Sequence, residues 1–84
     1  MRVLVEDAGK GLIGLMEKRV TFWGMNYIYT GKLVGVNDAD VLLDDAAIVY
    51  ETGEFSSKEW KDAQKLPFPI YIRLAAIEAY GELK

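Results

Sequence analysis

The sequence contains no cysteine and no histidine. Without thiols no disulfide constrains the unfolded chain, and with both ligand types missing the usual structural zinc sets are excluded. The same absences remove the common nucleophile and base pairs, so a serine nucleophile would need lysine as its base. Ser56 and Ser57 are better placed as helix caps, and a non-enzymatic chain with no cofactor and no metal site is expected. Uninterrupted apolar runs extend only a few residues, far short of the roughly 20 that cross a bilayer. Met1-Arg2-Val3-Leu4-Val5 meets Glu6-Asp7 before a signal-peptide core forms, so the expectation is a cytoplasmic protein with no membrane partner.

Basic charge is missing from the middle of the chain. Between Leu33 and Ser57 stand Asp38, Asp40, Asp44, Asp45, Glu51 and Glu54, and no Lys or Arg. With a net charge of −3 overall, nonspecific attraction to nucleic acid is disfavoured, because that attraction rests on counterion release by cationic side chains. The acids could take a hard cation through oxygen ligands. As an EF-hand loop they fail, since Leu42 falls where a ligand is needed and no glycine occupies the turning position. Asp44 and Asp45, neighbours on a strand, are expected on opposite faces, which makes a carboxylate pair unsuited to catalysis and a solvated acidic rim the simpler reading. Gly9-Lys10-Gly11-Leu12-Ile13-Gly14 matches G-x-G-x-x-G, yet Leu12 to Lys18 is too short for a parallel crossover helix, and Glu6 and Asp7 would meet the pyrophosphate.

What is present fits a single domain over residues 1–84, with 51% hydrophobic residues. A chain this short buries only about 60% of the surface exposed when unfolded, so oligomerisation is the remaining common route to stability. Ala8, Leu12, Leu15 and Met16 fall at helical spacing, and predict a helix over 7–18 capped by Asp7. Val20-Thr21-Phe22-Trp23 and Tyr27-Ile28-Tyr29-Thr30 flank turn chemistry at Gly24-Met25-Asn26, a hairpin signal. Gly31 and Gly35 then mark bends, and a long third strand follows from Asp40 to Tyr50. Within an insertion over 52–69, Ser56 and Glu59 form a capping-box pattern and Phe55 with Trp60 a hydrophobic staple, predicting a helix from Ser57 to Leu66 stopped by Pro67. Ile70 to Leu74 and Ala76 to Tyr80 complete the strands. The expected fold is an all-β small barrel of the SH3-like kind: an N-terminal α-helix, then a strongly bent five-stranded antiparallel sheet with a helical insertion between strands 3 and 4. Phe22, Tyr29, Tyr71 and Tyr80 are assigned mostly to its core, leaving Trp60 or Tyr27 outside it.

This order, from Leu12 to Tyr80, resembles the Sm and Sm-like (LSm) proteins, including their bacterial Hfq branch. Gly31, Leu33, Asn37, Val41, Leu43, Asp45 and Ala46 are similar to the first family motif, with the turn one residue short. Ile72-Arg73-Leu74-Ala75-Ala76-Ile77 is similar to the second. The resemblance implies a homo-oligomeric ring of roughly five to seven copies in which the last two strands of neighbours pair, covering otherwise exposed sheet edges. Ile70, Ile72, Ile77 and Ala79 would lie at or near that seam. It also implies single-stranded RNA binding around Asn37, Asp38, Asp40 and Arg73. Asp38 falls where the family stacks a base, Asp40 falls where it uses an Asn amide, and Leu74 replaces a glycine, so the implied uridine pocket is degenerate. The alternative expectation is a ring scaffold that binds a protein partner or a cation through its acidic face, with the insertion as docking surface.

Overall fold

The computed structural model describes residues 11–82. A single helical turn, α1 (Gly11–Gly14), precedes six strands: β1 (Arg19–Gly24), β2 (Ile28–Val36), β3 (Asp40–Glu51), β4 (Asp62–Lys65), β5 (Ile70–Arg73) and β6 (Ile77–Gly81), with a 3-10 turn at Leu74–Ala76. Every pairing is antiparallel. The strand order is β4-β3-β2-β1-β6, and β5 pairs β3 beyond the end of β4.

β1 and β2 meet as the predicted hairpin, and its β-branched and aromatic residues alternate between two buried faces. Val20 and Phe22 point into the main core with Leu33, Val41, Leu43, Ala46 and Ile72. Thr21 and Thr30, cross-strand partners, are also buried, and the Thr30 hydroxyl donates to the Val20 carbonyl at 3.0 Å. That hydrogen bond removes most of the cost of burying the hydroxyl away from water.

Two bulges in the β2–β3 pairing bend the sheet around the core. Thr30 faces Ala47 and Lys32 faces Asp44, so Asp45 and Ala46 together oppose Gly31. Asp45 takes up the extra residue with φ 48°, a left-handed conformation that Asp tolerates better than most side chains. Gly31 permits the close approach: a Cβ there would lie 3.0 Å from the Asp44 carbonyl oxygen and 3.1 Å from the Ala46 Cα. The second bulge sits on β2, where Val34 is extra between the Leu33–Leu43 and Gly35–Leu42 pairs. Gly31 and Gly35 therefore mark the bends, as their place in the strand implies. The bulge also overturns one expectation, because Asp44 and Asp45 are both exposed instead of facing opposite ways.

The helices are shorter than expected. Of the 7–18 helix, residues 7–10 lie outside the described residues, and α1 covers only Gly11–Gly14. Leu15 N, Met16 N and Lys18 N bond three residues back, to Leu12, Ile13 and Leu15. Glu17, at φ 68°, then turns the chain so that its N–H meets the Leu33 carbonyl at 2.7 Å. Three glycines within 7–18, at positions 9, 11 and 14, leave little helix propensity to resist that docking. Leu12, Leu15 and Met16 still pack against the core.

The helix expected from Ser57 to Leu66 is absent. Its C-terminal half is β4, which pairs with β3 from Ala47 to Glu51. A helix of about ten residues is marginal on its own, whereas β3 is twelve residues long and its far half has an edge to fill. Ser57 Oγ accepts from Glu59 N at 3.3 Å, so a tight turn replaces the capping box. β4 and β5 are the two halves of one strand along β3, interrupted around Pro67 and Pro69, which have no N–H to give to a ladder. Six strands thus stand where five were expected. The aromatic assignment also changes: Phe22 is fully buried and Tyr29 half-buried, but Tyr80 is 42% and Tyr71 70% exposed. No helix among the described residues is long and apolar enough to cross a membrane.

Replacing Gly31 by Ala forces its new methyl group against backbone, and urea unfolding at fixed protein concentration should show a loss of about 1–3 kcal/mol. Gly81→Ala is the control: nothing lies within 4 Å of a Cβ there, and its effect should stay within about 0.5 kcal/mol.

Candidate functional site

The turn between β2 and β3 and the 3-10 turn after β5 come together at one end of the sheet. Asn37 organises the first: its Oδ1 accepts from Ala39 N at 2.8 Å and Asp40 N at 2.7 Å. This is the local side-chain turn that Asn supports. The Asn37 N–H in turn bonds the Asp40 carbonyl at 3.0 Å, and Leu74 N bonds the Ala39 carbonyl at 2.8 Å, tying the two turns together. Asp40 and Arg73 are direct cross-strand partners.

These contacts leave a cleft of about 460 Å³ lined by Asp38, Ala39, Asp40, Arg73, Leu74 and Ala75. Three of the four residues expected at a strand-binding site, Asp38, Asp40 and Arg73, therefore line one cleft, while the Asn37 carbonyl is committed to the turn beneath. The lining carries two carboxylates against one guanidinium. Arg73 offers five fixed N–H donors, and the acids, when ionised, offer acceptors alone. A phosphate or base carbonyl can meet Arg73, whereas reading a base through an amide is not within this set. Among the described residues no three acids are grouped so as to hold a metal ion.

The four residues expected at an oligomer seam divide by position. Ile72 is buried in the core of its own chain, Ile70 and Ile77 are half-buried against it, and Ala79 is exposed on β6. Tyr29, Ile48, Leu66, Ile70 and Ile72 line an apolar groove of about 360 Å³ at the β5 side. β6 and the β4/β5 line are the two terminal strands of the sheet, so each leaves one edge of backbone groups unpaired within the described chain.

Asp45 lies apart from the turn cleft and connects three strands. Its carboxylate accepts from Arg19 of β1 at 2.9 Å and from Lys65 of β4 at 3.3 Å. Those hydrogen bonds, Lys65 first, and the positive charges behind them hold the Asp45 carboxyl below its ordinary 3.8. Sequence reading had set Asp45 in a motif without this role, because a partner twenty or more residues away leaves no local signal. It also passed over a convergence around Trp60, where Lys58, Lys61 and Lys65 line a shared cleft with Arg19; lysines on either side of a tryptophan at 58–61 were the available cue.

No protein-family model matches this chain, and no curated protein matches it at a significant level.

The folded Asp45 carboxyl titrates below its unfolded value, so its stabilisation is complete above that unfolded value and disappears as pH falls through the folded one. Asp45→Asn should therefore melt below the parent at about pH 7 and converge with it at about pH 2. Both partners are exposed, so the gap should be small and should shrink with added salt.

Proposed function

We propose that this chain is an Sm-like protein that assembles into a homo-oligomeric ring of roughly five to seven copies and associates with single-stranded RNA through a degenerate uridine pocket. The observation that carries the reading is the convergence of the Asn37–Asp40 turn with Arg73 and Leu74 in one cleft, since these are the two segments that resemble the family motifs. The ring reading draws on the sheet edges. β6 and β5 each offer unpaired backbone, and the apolar groove beside Ile70 gives a neighbour's β6 a surface to cover. Pairing the two edges head to tail satisfies both in every copy, which an isolated chain of this size does not do.

Within the cleft Arg73 is the one cationic group that can meet a strand, through a phosphate or a pyrimidine carbonyl, and the two acids beside it keep that contact weak. Asp38 and Asp40 lower affinity by facing the phosphate chain, and repeated around a ring their charges add. Asp40 accepts a hydrogen bond where an amide would both accept and donate, so discrimination between bases is weak. The acidic lining also favours a second reading, a ring scaffold that binds a protein partner or a cation through this acidic face, with the 52–69 insertion as docking surface.

Fluorescence anisotropy with oligo-U, oligo-A and mixed strands at low ionic strength separates these readings. Weak binding with little base preference is expected, and Asp40→Asn should raise oligo-U affinity by about tenfold, about 1.4 kcal/mol. Absence of binding to every strand, together with no gain in Asp40→Asn, removes the RNA reading and leaves the scaffold.

A further inference from the structure

We infer that the strand makes its main electrostatic contact outside the turn cleft, in the cleft around Trp60 on the opposite face of β3 from the core. This rests on the RNA-associated reading and relocates the contact within it. Thr30 and Ala47 are buried yet lie on the sheet face away from Phe22. The connection from β3 to β4 covers that face: its ends are held by Lys61 N to the Thr52 carbonyl at 3.4 Å and by a Lys61–Glu51 ion pair at 3.3 Å. Trp60 returns with it and lines a cleft of about 500 Å³ together with Thr30 and Ala47.

The charges in this cleft are the reverse of those at the turn. Arg19, Lys58, Lys61 and Lys65 line it against Glu59 and Asp62, in a chain whose net charge is −3. Arg19 and Lys65 are engaged by Asp45, and Lys61 by Glu51. Lys58 takes part in none of the ion pairs among the described residues. A lysine ammonium has three donors, so Lys61 can keep an exposed carboxylate and still meet a phosphate oxygen. Lys58 and Lys61 thus provide two phosphate contacts, and the half-buried Trp60 indole, which lines the same cleft, is the aromatic surface against which a base of any identity would stack. The occupant that fits is one or two nucleotides of a single RNA strand, bound without base selectivity. The turn cleft, with two acids for one arginine, is the poorer phosphate site.

Two phosphate contacts per chain give a slope of about −1.4 in log affinity against log salt for a single strand, and removing one of them should bring it to about −0.7. The test is an anisotropy titration of labelled oligo-U and oligo-A against the parent, Lys58→Gln, Lys58→Gln/Lys61→Gln and Arg73→Ala. Trp60 emission is followed in a Trp23→Phe background, and circular dichroism checks that each variant is folded. Both strands should bind alike and quench the indole, with affinity about tenfold lower in the double variant and within twofold of the parent in Arg73→Ala. Loss in Arg73→Ala with parental binding in the lysine variants overturns the inference but leaves the turn pocket and RNA association standing. Binding that leaves Trp60 emission unchanged, or oligoglutamate displacing the strand at equal charge, also overturns it. If no strand binds the parent, the inference and the RNA reading fall together.

Discussion

The close approach of Gly31 to the backbone of Asp44 and Ala46 is the constraint on which the rest of the structure depends. Because no side chain separates β2 from β3 there, β3 can fit two residues opposite one, and the sheet turns back over Phe22, Leu33 and Leu43. Asp45 absorbs the extra residue in a left-handed conformation, and its carboxylate ties β1 and β4 to the bend through Arg19 and Lys65. The ion pairs are exposed and contribute modestly; the backbone geometry sets the shape.

From that bend follow both ends of β3. Its N-terminal half receives β5, which puts Arg73 across from Asp40, and its C-terminal half receives β4, which carries the chain past Trp60 onto the outer face. The two clefts are therefore fixed by one strand and differ in charge, acidic at the turn and basic beside Trp60. In the proposed ring each copy would present both. The stacking and phosphate contacts of a strand would then be divided between a site that repels it and one that attracts it.

Much of this was legible in the sequence where the signal is local. The hairpin at Gly24 to Asn26, the bends at Gly31 and Gly35, the Asn37 turn and the long third strand follow from short-range turn chemistry and strand propensity. The failures are places where a distant partner decided the outcome. A capping pattern at Ser56 and Glu59 lost to the open edge of β3, and Asp44 and Asp45 share the solvent side because a bulge breaks the period of two. Tyr71 and Tyr80 look like core residues by type, but each lies on a terminal strand, where the chain alone leaves it exposed. At the site, Arg73 and Asp40 could be paired only through the resemblance of two motifs. The cleft around Trp60 joins β1, β2, β3 and β4, so no single segment announces it.

In the proposed ring, neighbouring copies would cover the open edges of β6 and β5 and the exposed Tyr80 and Tyr71 on them. Gel filtration coupled to light scattering measures that directly. A single species of about five to seven chain masses, each 9.4 kDa, that persists on dilution is the result expected from edge pairing. A stable species of 9.4 kDa at the same concentrations would contradict it.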